Sequence, residues 1–232
     1  MSLHNPFTDP SALASLIDHT NLAPDATTAD FEKLCDEAAA YGFAMVAINP
    51  APVALCARLL EGSSVHVGAA IGFPLGQITL KDKINETRHA IENGANEIDY
   101  VINIGEMKNG NFTYIEDEMA QIVEICRDND VLSKVIFENC YLNEAEKKSL
   151  CTLARRVRPD FIKTSTGFGP AGAILDDVAL MHNEVKGLVQ VKAAGGIRRL
   201  DSALSFVEAG ARRIGTSRGT DIIDEFRRHM ES

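Results

Sequence analysis

The feature that most constrains this chain is a repeat of form. Eight short apolar runs, at residues 15–20, 43–48, 65–72, 96–103, 133–138, 160–165, 188–193 and 212–215, alternate with amphipathic helical patterns. Their starts lie about 28 residues apart on average, roughly what a strand, a helix and two short loops fill. Strands alternating with helices imply a parallel sheet. Eight such units in 232 residues predict an α/β fold, a (β/α)8 TIM barrel with a short N-terminal helical segment, as one domain over 1–232. A doubly wound sheet is the alternative and usually has fewer strands. The helical patterns carry their own punctuation. In 28–41, Phe31, Leu34, Cys35 and Ala38 share a face, Thr28 reads as the N-cap and Gly42 as the stop. In 79–93, Thr79 and Asp82 suit a capping box, Leu80, Ile84, Thr87 and Ile91 line a face, and Gly94 follows.

Composition narrows the function. With 45% hydrophobic and 24% charged residues, a chain of this length builds its core without a metal or disulfide staple. A net charge of −10 disfavours nucleic acid as a partner. The imbalance is uneven: residues 1–150 carry 10 Lys/Arg against 23 Asp/Glu, and residues 151–232 carry 13 against 10. The late third can therefore host an anion. Five cysteines, an odd count with no CxxC, fit a reduced compartment. The opening MSLHNPFTDP lacks a charged-then-apolar signal pattern, so a cytoplasmic location is expected and the sequons at Asn85 and Asn111 carry no weight. Residues 38–57 are free of charge, but Gly42, Asn49, Pro50 and Pro52 interrupt them. They read as a strand and a loop, not a membrane span.

A barrel puts its chemistry at the C-terminal ends of its strands. Those ends carry Asp18-His19-Thr20, Asn49, Phe73-Pro74, Asp99 to Asn103, Glu138-Asn139, Lys163 to Thr166, Lys192 and Gly215-Thr216-Ser217. Alternation along each strand then sorts inside from outside. In EIDYVIN, Ile98, Tyr100 and Ile102 face the helices, and Glu97, Asp99 and Val101 face the interior. By the same rule Phe161, Lys163 and Ser165 point inward, as do Gln190 and Lys192. Two lysines on adjacent strands inside one barrel are unusual, because lysine is rarely buried without a partner. Burial and a neighbouring cation both lower an amine's pKa, from about 10.4 toward roughly 7–8. A neutral amine is a nucleophile that forms a Schiff base with a carbonyl. Asp99 and Asp18 are carboxylates placed to balance charge and move protons.

Gly195-Gly196 and Gly215-Thr216-Ser217 follow the last two strands, where barrels often bind phosphate. Gly167 and Gly169 offer a third wall. Other motifs carry less. GTSRG matches a nucleophile elbow, but only Asp221, Asp224 and His229 follow it, all in one helical stretch. Gly167 to Gly172 matches GxGxxG without an acidic residue at a second strand end. The six histidines show no metal-ligand pairing, and His19 reads as structural. Cys35, Cys126 and Cys151 read as small core residues, and Cys140 lies nearer the mouth without an activating partner.

On these residues the chain resembles the deoxyribose-phosphate aldolase family, of the short bacterial and archaeal type. The resemblance rests on DFIKTSTGFG (Asp160 to Gly169), VKAAGGIR (Val191 to Arg198) and ANEIDYVINIG (Ala95 to Gly105), extended by IDHT, GFPLG and RIGTS. It implies a class I aldolase that uses no metal or other cofactor. Such an enzyme interconverts 2-deoxy-D-ribose 5-phosphate with acetaldehyde and D-glyceraldehyde 3-phosphate. It implies a small phosphorylated sugar as partner, neither nucleic acid nor membrane, and a homodimer or homotetramer. By resemblance, Lys163 is the Schiff-base lysine, Lys192 perturbs it and exchanges protons, and Asp99 is the relay. Asp18 and Thr20 support them from beneath. Thr166 meets the substrate hydroxyls, and Gly167, Gly195, Gly196, Gly215 and Ser217 cradle the phosphate. Four positions depart from the family's usual residues: Asn21, Ala47, Asn139 and Arg218. Ala47 and Asn139 are expected to reshape the pocket, and Arg218 to add an anion contact. Two alternatives stay open, an aldolase of this family for a different short phosphorylated aldehyde and a phosphosugar-binding regulator without catalysis.

Overall fold

The computed structural model describes residues 9–231; His4 and the rest of residues 1–8 lie outside them. Eight parallel strands close in chain order into one barrel: β1 (Ile17–Asn21), β2 (Met45–Ile48), β3 (His66–Ile71), β4 (Glu97–Val101), β5 (Leu132–Ile136), β6 (Phe161–Lys163), β7 (Gln190–Ala194) and β8 (Arg213–Thr216). β8 pairs back onto β1, with Asp18 level with Gly215. The helices are α1 (Pro10–Ala14), α2 (Thr28–Tyr41), α3 (Val53–Leu59), α4 (Leu80–Glu92), α5 (Ile104–Lys108), α6 (Phe112–Asp128), α7 (Glu144–Val157), α8 (Leu175–Val185), α9 (Leu200–Glu208) and α10 (Gly219–Met230). The eight-strand barrel and the short N-terminal helix both match expectation.

The apolar core is the layer between strands and helices. Val46, Ile98, Tyr100, Val135, Ile162, Val191 and Ile214 pack there against Phe31, Leu34, Met119, Ile122, Leu150 and Phe226. Burying each such side chain contributes about 1.5–3 kcal/mol. Tyr100 and Ile162 thus face the helices, as alternation requires, which leaves Asp99 and Lys163 for the barrel interior.

Two helix readings need correction. The N-cap of α2 is Thr27, one residue earlier than expected, because Asp30 reaches back to the Thr27 N–H at 2.7 Å. The buried face of α4 is Lys83, Thr87 and Ala90. Of the expected face, only Thr87 is buried, and Leu80, Ile84 and Ile91 are half-buried. Lys83 turns inward because its Nζ donates to the Val101 carbonyl at 2.6 Å and pairs with Glu118 at 2.5 Å. β6 ends at Lys163, short of the expected 165. Past it the Thr164 hydroxyl takes over from the ladder, accepting the Ala194 N–H at 3.2 Å.

Candidate active site

The register sets the site. Lys163 on β6 is level with Lys192 on β7, and Asp99 on β4 is level with Lys134 on β5. All four point into the barrel and meet at one carboxylate. Asp99 Oδ2 accepts from Lys163 Nζ at 2.8 Å and from Lys192 Nζ at 2.6 Å, and Oδ1 accepts from Lys134 Nζ at 2.8 Å. Asp18 Oδ2 lies 2.5 Å from Lys192 Nζ, and Asp18 Oδ1 accepts from Arg213 Nε at 2.9 Å. Below them Glu97 takes Arg213 Nη2 at 2.6 Å and pairs with Lys134. The Phe161 ring forms the floor, 5.5 Å from the Arg213 guanidinium carbon and 5.9 Å from Lys134 Nζ.

Charge counting explains the chemistry of this network. Asp18, Glu97 and Asp99 supply three negative charges. Lys134, Lys192 and Arg213 answer them, so the interior is balanced when Lys163 is neutral. Lys163 is 4% exposed. Burial pushes its ammonium down most; Asp99 opposes that, and Lys192 and then Lys134 push further down, leaving the pKa at about 8. The Lys192 ammonium lowers it less than burial does. Asp99 runs the other way. Burial raises its pKa, yet Lys134, Lys163 and Lys192 together hold it well below the usual carboxylate range. Lys134 stays charged because Asp99, Glu97 and Asp18 outweigh its burial.

Above Lys163 and Lys192 opens a cavity of about 470 Å³. Thr20, Thr166, Gly167, Gly195, Gly196, Gly215 and Ser217 all line it, so every expected substrate contact borders one space. Thr20 touches the network only through its hydroxyl on the Asp18 carbonyl, at 2.9 Å. Gly215 makes room for the second lysine: a Cβ there would lie 3.2 Å from Lys192 Cε and 2.9 Å from the Ala194 Cβ. Gly195 and Gly196 have φ of 93° and 81°, which L side chains rarely adopt, and their bare backbone lets an oxyanion approach closely. Phe168 stands edge-on to Phe73, centroids 5.4 Å apart. With Thr166, it walls this cavity from a second, more apolar one of about 340 Å³ beside Pro74, Leu75 and Ile104.

Several expected contributors point elsewhere. Asn139 is buried with its Nδ2 donating to Met181 Sδ at 3.2 Å, on α8, and it does not line the cavity. Arg218 pairs with Asp221 one helical turn on and does not line the cavity. His19 faces outward, 2.8 Å from Glu37 and against Phe43, a structural placement. Cys140 sits beside Glu138, and burial raises its thiol pKa. Ala47 is buried on β2 and does not line the cavity.

The sequence reading passed over Lys134, Arg213 and Arg198. Alternation held the signal for the first two, since Val135 and Ile214 face the helices. Arg198 lines the cavity next to the glycine turns. Arg213→Met should cost about 3–5 kcal/mol in urea unfolding, because removing one partner strands buried Asp18 and Glu97 charge. A loss under about 1 kcal/mol would mean water reaches the base of the barrel.

Comparison with known proteins gives the family. Residues 12–225 match the model of the DeoC/LacD family aldolases. The deoxyribose-phosphate aldolase of Lactobacillus acidophilus is 55% identical over 218 residues, covering 94% of this chain and 92% of the relative. That of Bacteroides thetaiotaomicron is 54% identical over 215 residues, covering 93% and 90%. Among solved structures, the tetrameric deoxyribose phosphate aldolase from Aeropyrum pernix superposes with a TM-score of 0.89 at 34% identity, covering 95% of this chain and 93% of that one. The family match over residues 12–225, with these relatives along nearly the whole length, places the chain in the DeoC/LacD aldolase family.

Proposed function

We propose that this chain is a lyase, a class I aldolase that reversibly cleaves 2-deoxy-D-ribose 5-phosphate into acetaldehyde and D-glyceraldehyde 3-phosphate. The observation that carries this reading is Lys163, a buried amine with a pKa of about 8 at the base of a glycine-rimmed cavity. The relatives' shared name supplies the substrate.

The steps follow from the geometry. Lys163 Nζ adds to the open-chain aldehyde carbon, and water leaves to give an iminium. The C3 hydroxyl passes its proton to the relay of Asp99 and Lys192. The C2–C3 electron pair moves into the iminium, which becomes an enamine, and D-glyceraldehyde 3-phosphate leaves. The enamine takes a proton at carbon from the same relay. Water then adds, frees acetaldehyde and restores the amine. The iminium is the electron sink, so this route needs no metal or other cofactor. Asp18 aims Lys192, and Thr20 braces Asp18. Thr166 meets a substrate hydroxyl. Gly167, Gly195, Gly196, Gly215 and Ser217 hold the phosphate with Arg198, a charge-assisted contact. Binding the remote phosphate fixes the reacting end.

Reductive trapping tests the reading. With 2-deoxy-D-ribose 5-phosphate and borohydride, mass spectrometry should find Lys163 carrying an ethyl group or the reduced sugar. An unmodified Lys163 in folded, substrate-treated protein would overturn it. The same reading takes the chain as one catalytic domain of a cytoplasmic homo-oligomer. Among the described residues, no helix is long and apolar enough to cross a membrane.

A further inference from the structure

Glu138 is a buried carboxylate that the steps above leave unused. It is 2% exposed, and its partners among the described residues are hydrogen-bond donors. Its oxygens accept the Thr166 N–H at 3.2 and 3.3 Å, and the Thr166 hydroxyl donates to Oε2. Its backbone is left-handed, at φ 55° and ψ 62°. That conformation costs a non-glycine residue about 1–3 kcal/mol and persists where the surroundings demand it. The loop after β6 lies directly on it: a Cβ on Gly169 would sit 2.8 Å from Cys140 Sγ and 3.3 Å from Glu138 Cδ.

The consequence falls on Thr166. A threonine hydroxyl has one proton and two lone pairs. Glu138 takes the proton, and one lone pair accepts the Phe168 N–H at 3.0 Å. What remains toward the cavity is a single lone pair, so the hydroxyl can accept a hydrogen bond from a ligand and cannot give one. We propose that Glu138 is a positioning residue that fixes Thr166 as an acceptor-only contact. It thereby selects acceptor aldehydes whose α-hydroxyl can donate. This rests on the aldolase reading, with Thr166 at a substrate hydroxyl.

The test runs in the synthetic direction, with acetaldehyde as donor. Two acceptors are compared, D-glyceraldehyde 3-phosphate and its analogue with fluorine in place of the 2-hydroxyl. Fluorine accepts weakly and cannot donate. Glu138→Ala should lower kcat/KM for the hydroxyl acceptor about tenfold, mainly through KM. It should also narrow the hydroxyl-over-fluorine preference about tenfold relative to the parent, because the freed Thr166 proton now faces the cavity. Glu138→Gln keeps a carbonyl oxygen for Thr166 and should keep the preference. Thr166→Val should narrow it equally, and Glu138→Ala added to Thr166→Val should cost no more than about twofold further. An unchanged preference in folded Glu138→Ala, or losses that multiply in the double variant, would overturn the proposal. Should Glu138→Ala fail to fold, a preference retained by Thr166→Val overturns it alone. The borohydride adduct on Lys163 of the parent protein separates the two readings. Its absence sinks the aldolase assignment, whereas unchanged ratios with the adduct present sink only the role of Glu138.

Discussion

Lys163→Met should give a folded barrel that has lost at least about 10⁴-fold of its aldol cleavage. No other amine can stand in. Lys192 is 1% exposed and held by Asp18 and Asp99, and Lys134 is fully buried between Glu97 and Asp99. Neither can reach a carbonyl without leaving a carboxylate uncompensated. Stability should move the opposite way from activity. Lys163 is the fourth cation facing three carboxylates, so its replacement by a methionine of similar length leaves a balanced interior. Exchanging a buried charge for a fitting apolar side chain is often neutral or stabilising by about 1–4 kcal/mol. Turnover and thermal unfolding, measured on the same preparation, check both halves. Retained turnover would remove Lys163 from the chemistry. Lost turnover with a destabilised fold would mean that its bond to Asp99 holds the barrel together.

The fold was legible because its signal is periodic. Runs such as VGAAIG and EIDYVIN fill strands whose outward residues meet apolar helix faces, and a simple count of those runs gives the closed barrel. The two lysines and Asp99 were legible for the same reason: alternation places Lys163 and Lys192 inward once Ile162 and Val191 are outward. Lys134, Arg213 and Lys83 were hidden by the habit of reading charged residues as solvated. Each is buried because a carboxylate from another element meets it, Asp99 and Glu97 for Lys134, Glu97 and Asp18 for Arg213, Glu118 for Lys83. Such pairing spans up to 195 positions and leaves no local mark. Side-chain direction past a strand end was equally hidden. Asn139 and Arg218 stand beside the mouth in sequence, yet one turns to Met181 and the other to Asp221. Loops after strands do not obey the period of two, so nothing in the order of residues gives that direction.

Charge balance makes the second large effect a matter of pH. Lys192→Met removes the stronger of the two cations that depress Lys163 and leaves Asp18 to Arg213. Three carboxylates then face Lys134 and Arg213 alone, and a protonated Lys163 completes the count. Burial still holds the amine down, so its pKa should rise from about 8 by roughly one to two pH units and stop near the ordinary lysine value of about 10.4. The reactive form is the neutral amine. Its population near pH 7, and with it kcat/KM, should fall about 10- to 100-fold through this cause alone. The sign is fixed by the proton: the rising limb of the kcat/KM profile, near pH 8 in the parent, moves to higher pH in the variant. The ratio of parent to variant should therefore shrink steadily between about pH 7 and pH 10. Lys134→Met should shift the limb in the same direction, since it removes the other cation. A ratio that stays constant across that range would show that Lys192 acts only as a proton carrier or a structural strut. A limb that moves to lower pH would mean that the three carboxylates are not all ionised, and the balance that leaves Lys163 neutral would fail.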